Sequence, residues 1–376
     1  MTRFAIAMPA RILFGRGEAA KAPALIAGFG ARVLLVHGAN AARAEWLLQG
    51  LRGQGCETRT LACAGEPDLP QLETALQQTR GFAPQVVVGL GGGAVLDMAK
   101  ALAALIPAPG GPMDHLEVVG RGLPLTVPPL PFVALPSTAG TGAEATKNAV
   151  IGVPDHGRKV SLRDDRMLAR LAIVDPALTD HCPRATTLAS GLDAVTQVIE
   201  PYLSCKANPF TDALTEPAIA KGLQALARLM QGEDPAARDA LAHVSLTGGI
   251  ALANAGLGAV HGLAGVIGGL TGAAHGAICG TLLGPVLAMN RARAPSDRID
   301  RVCATIAQLF GGEQAEAPQT LTLWARQQGL PGITALGLAP TDFRAVAEAS
   351  AVSSSMKGNP VPLSPDDLVA VLQAAV

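Results

Sequence analysis

Residues 86–100 read Val-Val-Val-Gly-Leu-Gly-Gly-Gly-Ala-Val-Leu-Asp-Met-Ala-Lys, and this stretch constrains the fold more than any other. Three β-branched residues in a continuous apolar run suit a parallel strand covered on both faces. Ala94 to Leu105 contains no helix breaker. The segment therefore reads as strand, tight turn, helix. The intervening glycines remove every Cβ from the turn, so a ligand can approach the backbone closely. The helix start presents unpaired N–H groups and the positive end of the dipole, for which phosphate is the natural guest. The spacing is neither Gly-x-Gly-x-x-Gly nor a Walker loop. A glycine-rich βα turn that binds nothing stays open as the alternative.

The stretches around it repeat the same alternation. Short strands are expected at residues 11–15, 32–36, 58–62 and 131–135, with helices at 41–54 and 69–80. The helix at 41–54 carries Trp46, Leu47, Leu48 and Leu51 as its apolar stripe. Strands and helices in this order imply a parallel sheet covered on both faces, and such sheets take ligands beyond the carboxyl ends of their strands. Both small-residue turns, at Gly91–Ala94 and at Ser137–Glu144, fall there. After Leu171–Pro176 the pattern changes. Helical periodicity dominates from Pro183, with helices expected over 211–230, from the Asp234-Pro235 cap towards Ala255, and after Ser364-Pro365. The chain thus divides into an α/β domain at 1–180 and an all-helical domain at 181–376. A cleft between two domains is a usual place for a site.

Composition excludes several classes. At 376 residues there is room for two cores. A net charge of −1 gives no footprint for nucleic acid or for an anionic membrane. The apolar run at 276–289 is too short to span a bilayer. Arg3, Pro9 and Arg11 break up the N-terminal apolar stretch, so no signal peptide is evident. Cys56, Cys63, Cys182, Cys205, Cys279 and Cys303 are scattered, with no Cys-x-x-Cys, and read as reduced thiols of a cytoplasmic protein.

In the second half, Asp193 and Gln197 are i and i+4 on one helix and share a face. His261 and His275 follow, each flanked by small apolar residues with no charged neighbour in sequence. A carboxylate and two imidazoles suit a divalent metal such as Zn²⁺ or Fe²⁺. Taken alone, either histidine reads more readily as a satisfied core residue than as a ligand.

The ordered motifs resemble the iron-containing (group III) alcohol dehydrogenase family, which includes maleylacetate reductases. The resemblance runs from Phe14-Gly15 to Asn359-Pro360. It rests on Gly91–Lys100, the threonine-rich turn Ser137–Glu144, Asp175-Pro176-Ala177-Leu178, the helix segment Ser190–Asp193 with Glu200, Tyr202 and Ser204, and Ala207–Asp212. It implies a dehydroquinate synthase-like architecture and metal-assisted, NAD- or NADP-dependent interconversion of an alcohol with an aldehyde or ketone. By the same resemblance Gly92, Gly93 and Ala94 hold the pyrophosphate, and Thr138 and Thr141 contact the cofactor from the second turn. Val150, Lys159 and Leu178 line its ribose and nicotinamide end. Asp193, His261 and His275 match three of the four metal ligands. The metal acts as a Lewis acid on the substrate oxygen, and the nicotinamide gives or takes the hydride. The partners implied are a small alcohol or carbonyl substrate and a second copy of the chain, as a homodimer.

Three positions depart from the family pattern. Gln197 stands where the second ligand is usually histidine; the fourth metal place is expected to fall to its amide oxygen or to water, and that oxygen is a poorer ligand for Zn²⁺ or Fe²⁺. Gly265 replaces a histidine that relays protons in many members. Gly38 stands where NAD-preferring members carry aspartate, so nothing at that position repels the 2′-phosphate of NADP. Besides the leading reading, a maleylacetate reductase-like enzyme and a degenerate member that binds nucleotide without catalysis are carried forward. A lyase of the dehydroquinate synthase type would need a basic substrate pocket, and the second half shows no such concentration of Lys and Arg.

Overall fold

A computed structural model of the chain describes residues 3–376. Its first unit comprises residues 7–138 and 142–180. The strands are β1 (Ile12–Phe14), β2 (Arg32–His37), β3 (Glu57–Ala62), β4 (Val86–Gly91), β5 (Phe132–Pro136), β6 (Asn148–Val153), β7 (Arg158–Arg163) and β8 (Leu171–Val174). The helices are α1 (Ala22–Ala27), α2 (Glu45–Gly53), α3 (Leu69–Arg80), α4 (Gly93–Leu105) and the single turn α5 (Pro112–His115). Six strands form a parallel sheet in the order β1-β8-β5-β4-β2-β3. Successive residues face opposite sides of it. Leu34, Val36 and Val87 pack with Leu72 of α3 and Leu96 and Leu102 of α4. Val33, Leu35, Val86 and Val88 pack with Ile26 of α1 and Leu47 and Leu51 of α2. Burial on both sides explains the continuous apolar run in β4. At its middle, a Cβ on Gly89 would sit 2.9 Å from Leu96 and 3.0 Å from Ala99, so glycine there lets α4 lie close on the sheet.

Two features differ from the sequence expectations. The segment at 41–54 begins as a 3-10 turn at Ala41–Ala44, capped by the Asn40 side chain, before α2 starts at Glu45. β6 and β7 form an antiparallel hairpin that the strand-and-helix rhythm did not disclose. It turns through Pro154–His156 and Gly157, whose φ of 56° favours glycine.

The second unit comprises residues 181–376 with Ala139–Thr141 and residues 3–6. Its helices are α6 (Arg184–Leu203), α7 (Pro209–Leu229), α8 (Pro235–Ala255), α9 (Ala259–Thr271), α10 (His275–Arg293), α11 (Asp297–Phe310), α12 (Ala317–Gln327), α13 (Phe343–Ala351) and α14 (Pro365–Ala374). Among the described residues no strand follows β8. Helix starts are written in the local sequence. Asp234 accepts from Ala237 N at 3.0 Å with Pro235 at the first helical position, and Ser364 and Asp367 cap α14 reciprocally. α6 is buried along nearly its whole second half, a consequence of packing against α7, α8 and α10. Among the described residues no single helix is long and apolar enough to cross a membrane.

Candidate functional site

In the α/β unit the glycine turn lies at the carboxyl end of the sheet. Gly92 caps α4 with extended backbone, and Val95 N and Leu96 N both donate to its carbonyl, at 3.0 and 3.1 Å. The N–H groups of Gly93 and Ala94 therefore come before the helical ladder begins. A Cβ on Gly92 would stand 3.2 Å from the Thr138 hydroxyl, so the two turns lie side by side. Strand register accounts for this, since Gly91 pairs with Pro136 and Ser137 N donates to Gly91 O at 2.8 Å. Gly38 follows β2 at the same end of the sheet, and a side chain there would meet nothing within 4 Å. Leu178 lies in the short turn after β8, its carbonyl accepting from Arg43 at 3.2 Å.

Val150 and Lys159 sit on the β6–β7 hairpin. α4 fixes that hairpin with two side chains. Asp97 Oδ2 accepts from Val150 N at 3.2 Å, and the buried Lys100 Nζ donates to Ala143 O, Thr146 Oγ1 and Asn148 O, each at 2.8 Å. Burial lowers the Lys100 ammonium to about 8. Lys159 pairs with Glu66. Thr141 groups with the helical unit, whereas Thr138 belongs to the α/β unit.

In the helical unit four side chains converge. Asp193, at mid-length on α6, and His261, in the first turn of α9, are buried. His275 opens α10, with Cys279 one turn later. One donor atom from each of the four lies within 4.8 Å of the others. Asp193 Oδ1 stands 3.3 Å from His261 Nε2 and 3.9 Å from His275 Nε2, and Cys279 Sγ lies 3.5 Å from His275 Nε2. Despite their proximity, Asp193 Oδ1 and His261 Nε2 have no hydrogen-bond partner. Leaving such atoms buried and unsatisfied is costly. Two lone-pair donors aimed into one dry point fit a divalent cation, and an Asp/His/His set is a suitable ligand group for one.

The other imidazole nitrogen explains how His261 is held. Glu200 Oε2 lies 2.6 Å from His261 Nδ1, and Glu200 Oε1 accepts from Val260 N at 2.7 Å. A carboxylate on Nδ1–H leaves the Nε2 lone pair facing the metal position. Gly258 allows this approach, because a Cβ there would be 2.9 Å from Glu200 Oε1. The expectation of no charge beside His261 held only for its neighbours in sequence. His275 keeps 31% of its side chain exposed and forms the open side of the group.

The metal-free electrostatics are those of a proton-filled site. Burial opposes charge on His275, but Cys279 and Asp193 outweigh it and raise the imidazole to about 9. Burial likewise opposes charge on His261, and Cys279 and Glu200 raise it well above its ordinary value. Burial would raise Asp193, yet the two histidines hold its carboxylate below the usual range.

Gln197 lies on the Asp193 face of α6. Its Nε2 donates to Gly140 O at 3.0 Å, and its buried Oε1 has no partner. At Gly265 a side chain would meet nothing within 4 Å, so the histidine of the family pattern is replaced by open space. Sequence reasoning assigned no role to Glu200 or Cys279. The available signals were spacing: Glu200 is i+7 from Asp193, and Cys279 is i+4 from His275.

A six-stranded parallel α/β unit followed by an all-helical unit is the architecture of iron-containing alcohol dehydrogenases. The chain belongs to the iron-containing alcohol dehydrogenase family: residues 9–176 match its iron-containing alcohol dehydrogenase model and residues 187–376 its C-terminal model. It is similar to alcohol dehydrogenase 4 of Saccharomyces cerevisiae, with 31% identity covering 82% of this chain and 80% of that one. It is also similar to the NAD-dependent methanol dehydrogenase of Bacillus methanolicus, with 30% identity and 77% of each chain covered. Among solved structures, 1,3-propanediol oxidoreductase superposes with a TM-score of 0.89 at 26% identity over the full length of both chains. The iron-containing alcohol dehydrogenase of Thermococcus thioreducens does so with a TM-score of 0.86 at 26% identity, covering 99% of each chain. By this membership the protein is an alcohol dehydrogenase of the iron-containing family.

Proposed function

We propose that the chain interconverts a small alcohol and its aldehyde or ketone, with NADP accepted at least as well as NAD. The nucleotide's pyrophosphate would lie on Gly92, Gly93 and Ala94, and Thr138 and Thr141 would contact it from the second turn. Val150, Lys159 and Leu178 would line its ribose and nicotinamide end. The observation that carries the reading is the buried, unpartnered pair Asp193 Oδ1 and His261 Nε2 beside His275, in a chain of this family. When bound, a divalent metal supplies Lewis acidity towards the substrate oxygen, for hydride exchange with the nicotinamide.

The protein's own groups perform the rest. Glu200 fixes the His261 tautomer. The exposed flank of His275 admits the substrate. Gln197 Oε1, buried without a partner, offers an acceptor for the alcohol hydroxyl. With glycine at 265, no side chain there relays the alcohol proton, which leaves through water or the cofactor's ribose, or turnover is slow. Gly38 supports acceptance of NADP, since it brings neither charge nor bulk to the end of β2. The nicotinamide dependence in the Bacillus methanolicus relative's name supports the cofactor class. Six free cysteines support a cytoplasmic setting, and the homodimer is taken from the family pattern.

The test is a panel of primary alcohols and aldehydes assayed with each nicotinamide nucleotide, before and after chelation. The expected result is turnover that chelation removes and added Zn²⁺ or Fe²⁺ restores. Nucleotide binding without turnover on any substrate, with metal saturating, would favour the degenerate reading instead.

A further inference from the structure

Cys279 stands out because its surroundings are wrong for a packing thiol. It is fully buried, yet Sγ points at His275 Nε2, 3.5 Å away, and groups with Asp193 and His261 rather than with the aliphatic side chains of α10. Its neighbours include the two orphaned atoms, Asp193 Oδ1 and His261 Nε2.

We propose that Cys279 Sγ completes the metal's donor set, making an Asp193–His261–His275–Cys279 centre suited to zinc. The inference rests on the metal reading above and adds a ligand to it. Two geometric observations carry it. Bond lengths of about 2.0–2.1 Å to nitrogen or oxygen and about 2.3 Å to sulfur set tetrahedral edges near 3.3 Å for nitrogen–oxygen and near 3.6 Å for nitrogen–sulfur. The His261–Asp193 and Cys279–His275 separations are 3.3 and 3.5 Å. In addition, one donor atom from each of Asp193, His261, His275 and Cys279 lies within 4.8 Å of the others, so the thiol shares one point with the other three.

Chemistry points the same way. An amide oxygen is a neutral, hard donor, whereas a coordinated thiol gives up its proton and binds as a soft anion that favours zinc. In this chain the histidine donor of α6 is replaced by Gln197, and a thiolate donor on α10 restores the count to four. Cys279 is one helical turn from His275, so both donors are delivered by the same rigid element.

The decisive experiment is X-ray absorption at the zinc edge on the full-length, zinc-loaded protein, with metal content measured on the same sample. One sulfur neighbour at about 2.3 Å beside nitrogen and oxygen at about 2.0–2.1 Å is expected. In Gln197→Ala the sulfur shell stays. In Cys279→Ser it disappears, and zinc affinity falls by at least the roughly tenfold to hundredfold that changes around a metal ligand produce. Zinc bound with nitrogen and oxygen neighbours alone would overturn the Cys279 assignment while leaving the metal reading intact, as would a sulfur shell that persists in Cys279→Ser. No zinc bound by the wild type under any loading would overturn both. If Cys279→Ser fails to fold, the wild-type spectrum decides alone.

Discussion

Glu200→Gln is the sharpest perturbation the site allows, because it alters hydrogen bonding without altering shape. Glu200 receives two donors: Val260 N at 2.7 Å on Oε1 and the His261 ring on Oε2, with Nδ1 at 2.6 Å. A glutamine in the same space has one acceptor oxygen and one NH₂ group. It can satisfy the Val260 N–H or the imidazole Nδ1–H, but not both. It cannot swing clear, since Gly258 and Asn359 close the position. If the amide oxygen stays with Val260, His261 either loses a charged acceptor or changes tautomer and places a proton on Nε2, where the metal needs a lone pair. A hydrogen bond to a charged group is worth about 1.5–3 kcal/mol, which corresponds to a loss of roughly tenfold to hundredfold in metal affinity. Competition against a chromophoric chelator measures this directly, and circular dichroism checks the fold. A folded Glu200→Gln variant with wild-type zinc affinity would refute the argument that Glu200 sets the His261 donor.

Four further outcomes follow from the same geometry. Gly92→Val should weaken nucleotide binding by about tenfold or more in calorimetry, since a branched side chain would crowd Thr138 and cover the helix start where phosphate approaches; unchanged affinity would remove the phosphate assignment. Gly38→Asp has room for its side chain and should lower the NADPH-to-NADH ratio of kcat/KM by at least about fivefold, from roughly 1 kcal/mol of repulsion between charges about 4 Å apart in water. Metal uptake by the chelated protein at neutral pH should release protons, because His275 is held up to about 9 and His261 is also raised. The sign for stability is set by the raised pKa of His275. Its contribution to the metal-free protein is complete below the ordinary value of 6.5 and is lost as pH rises through about 9. Thermal unfolding of the chelated protein should therefore show Tm falling across that window, and a flat or rising Tm would contradict it.

Most of the fold was legible because its signals are local. The strand–turn–helix at 86–105, the helix at 69–80 and the Asp234-Pro235 start of α8 each follow from backbone chemistry over a few residues. The β6–β7 hairpin escaped because Asn148–Val153 is short, contains Gly152, and alternates only weakly in polarity, while β7 reads as Arg-Lys-Val-Ser-Leu-Arg. Its position depends on Asp97 and Lys100, whose bonds to it span about fifty residues. At the site, Asp193, His261 and His275 were visible as residue types that suit a metal. Glu200 and Cys279 were not, because a helical carboxylate usually faces solvent and a cysteine among alanines usually packs in a core. Only the tertiary arrangement brings them to the two imidazoles.

The most direct test of the whole account is an anaerobic titration of chelated protein with Zn²⁺ or Fe²⁺, followed by nicotinamide absorbance with a primary alcohol present. The account predicts a rate that starts near zero, rises with added ion and saturates at one ion per chain, and that Asp193→Ala never develops. Full turnover in the chelated protein, or equal activation of Asp193→Ala, would contradict the claim that this buried group holds the metal on which alcohol oxidation depends.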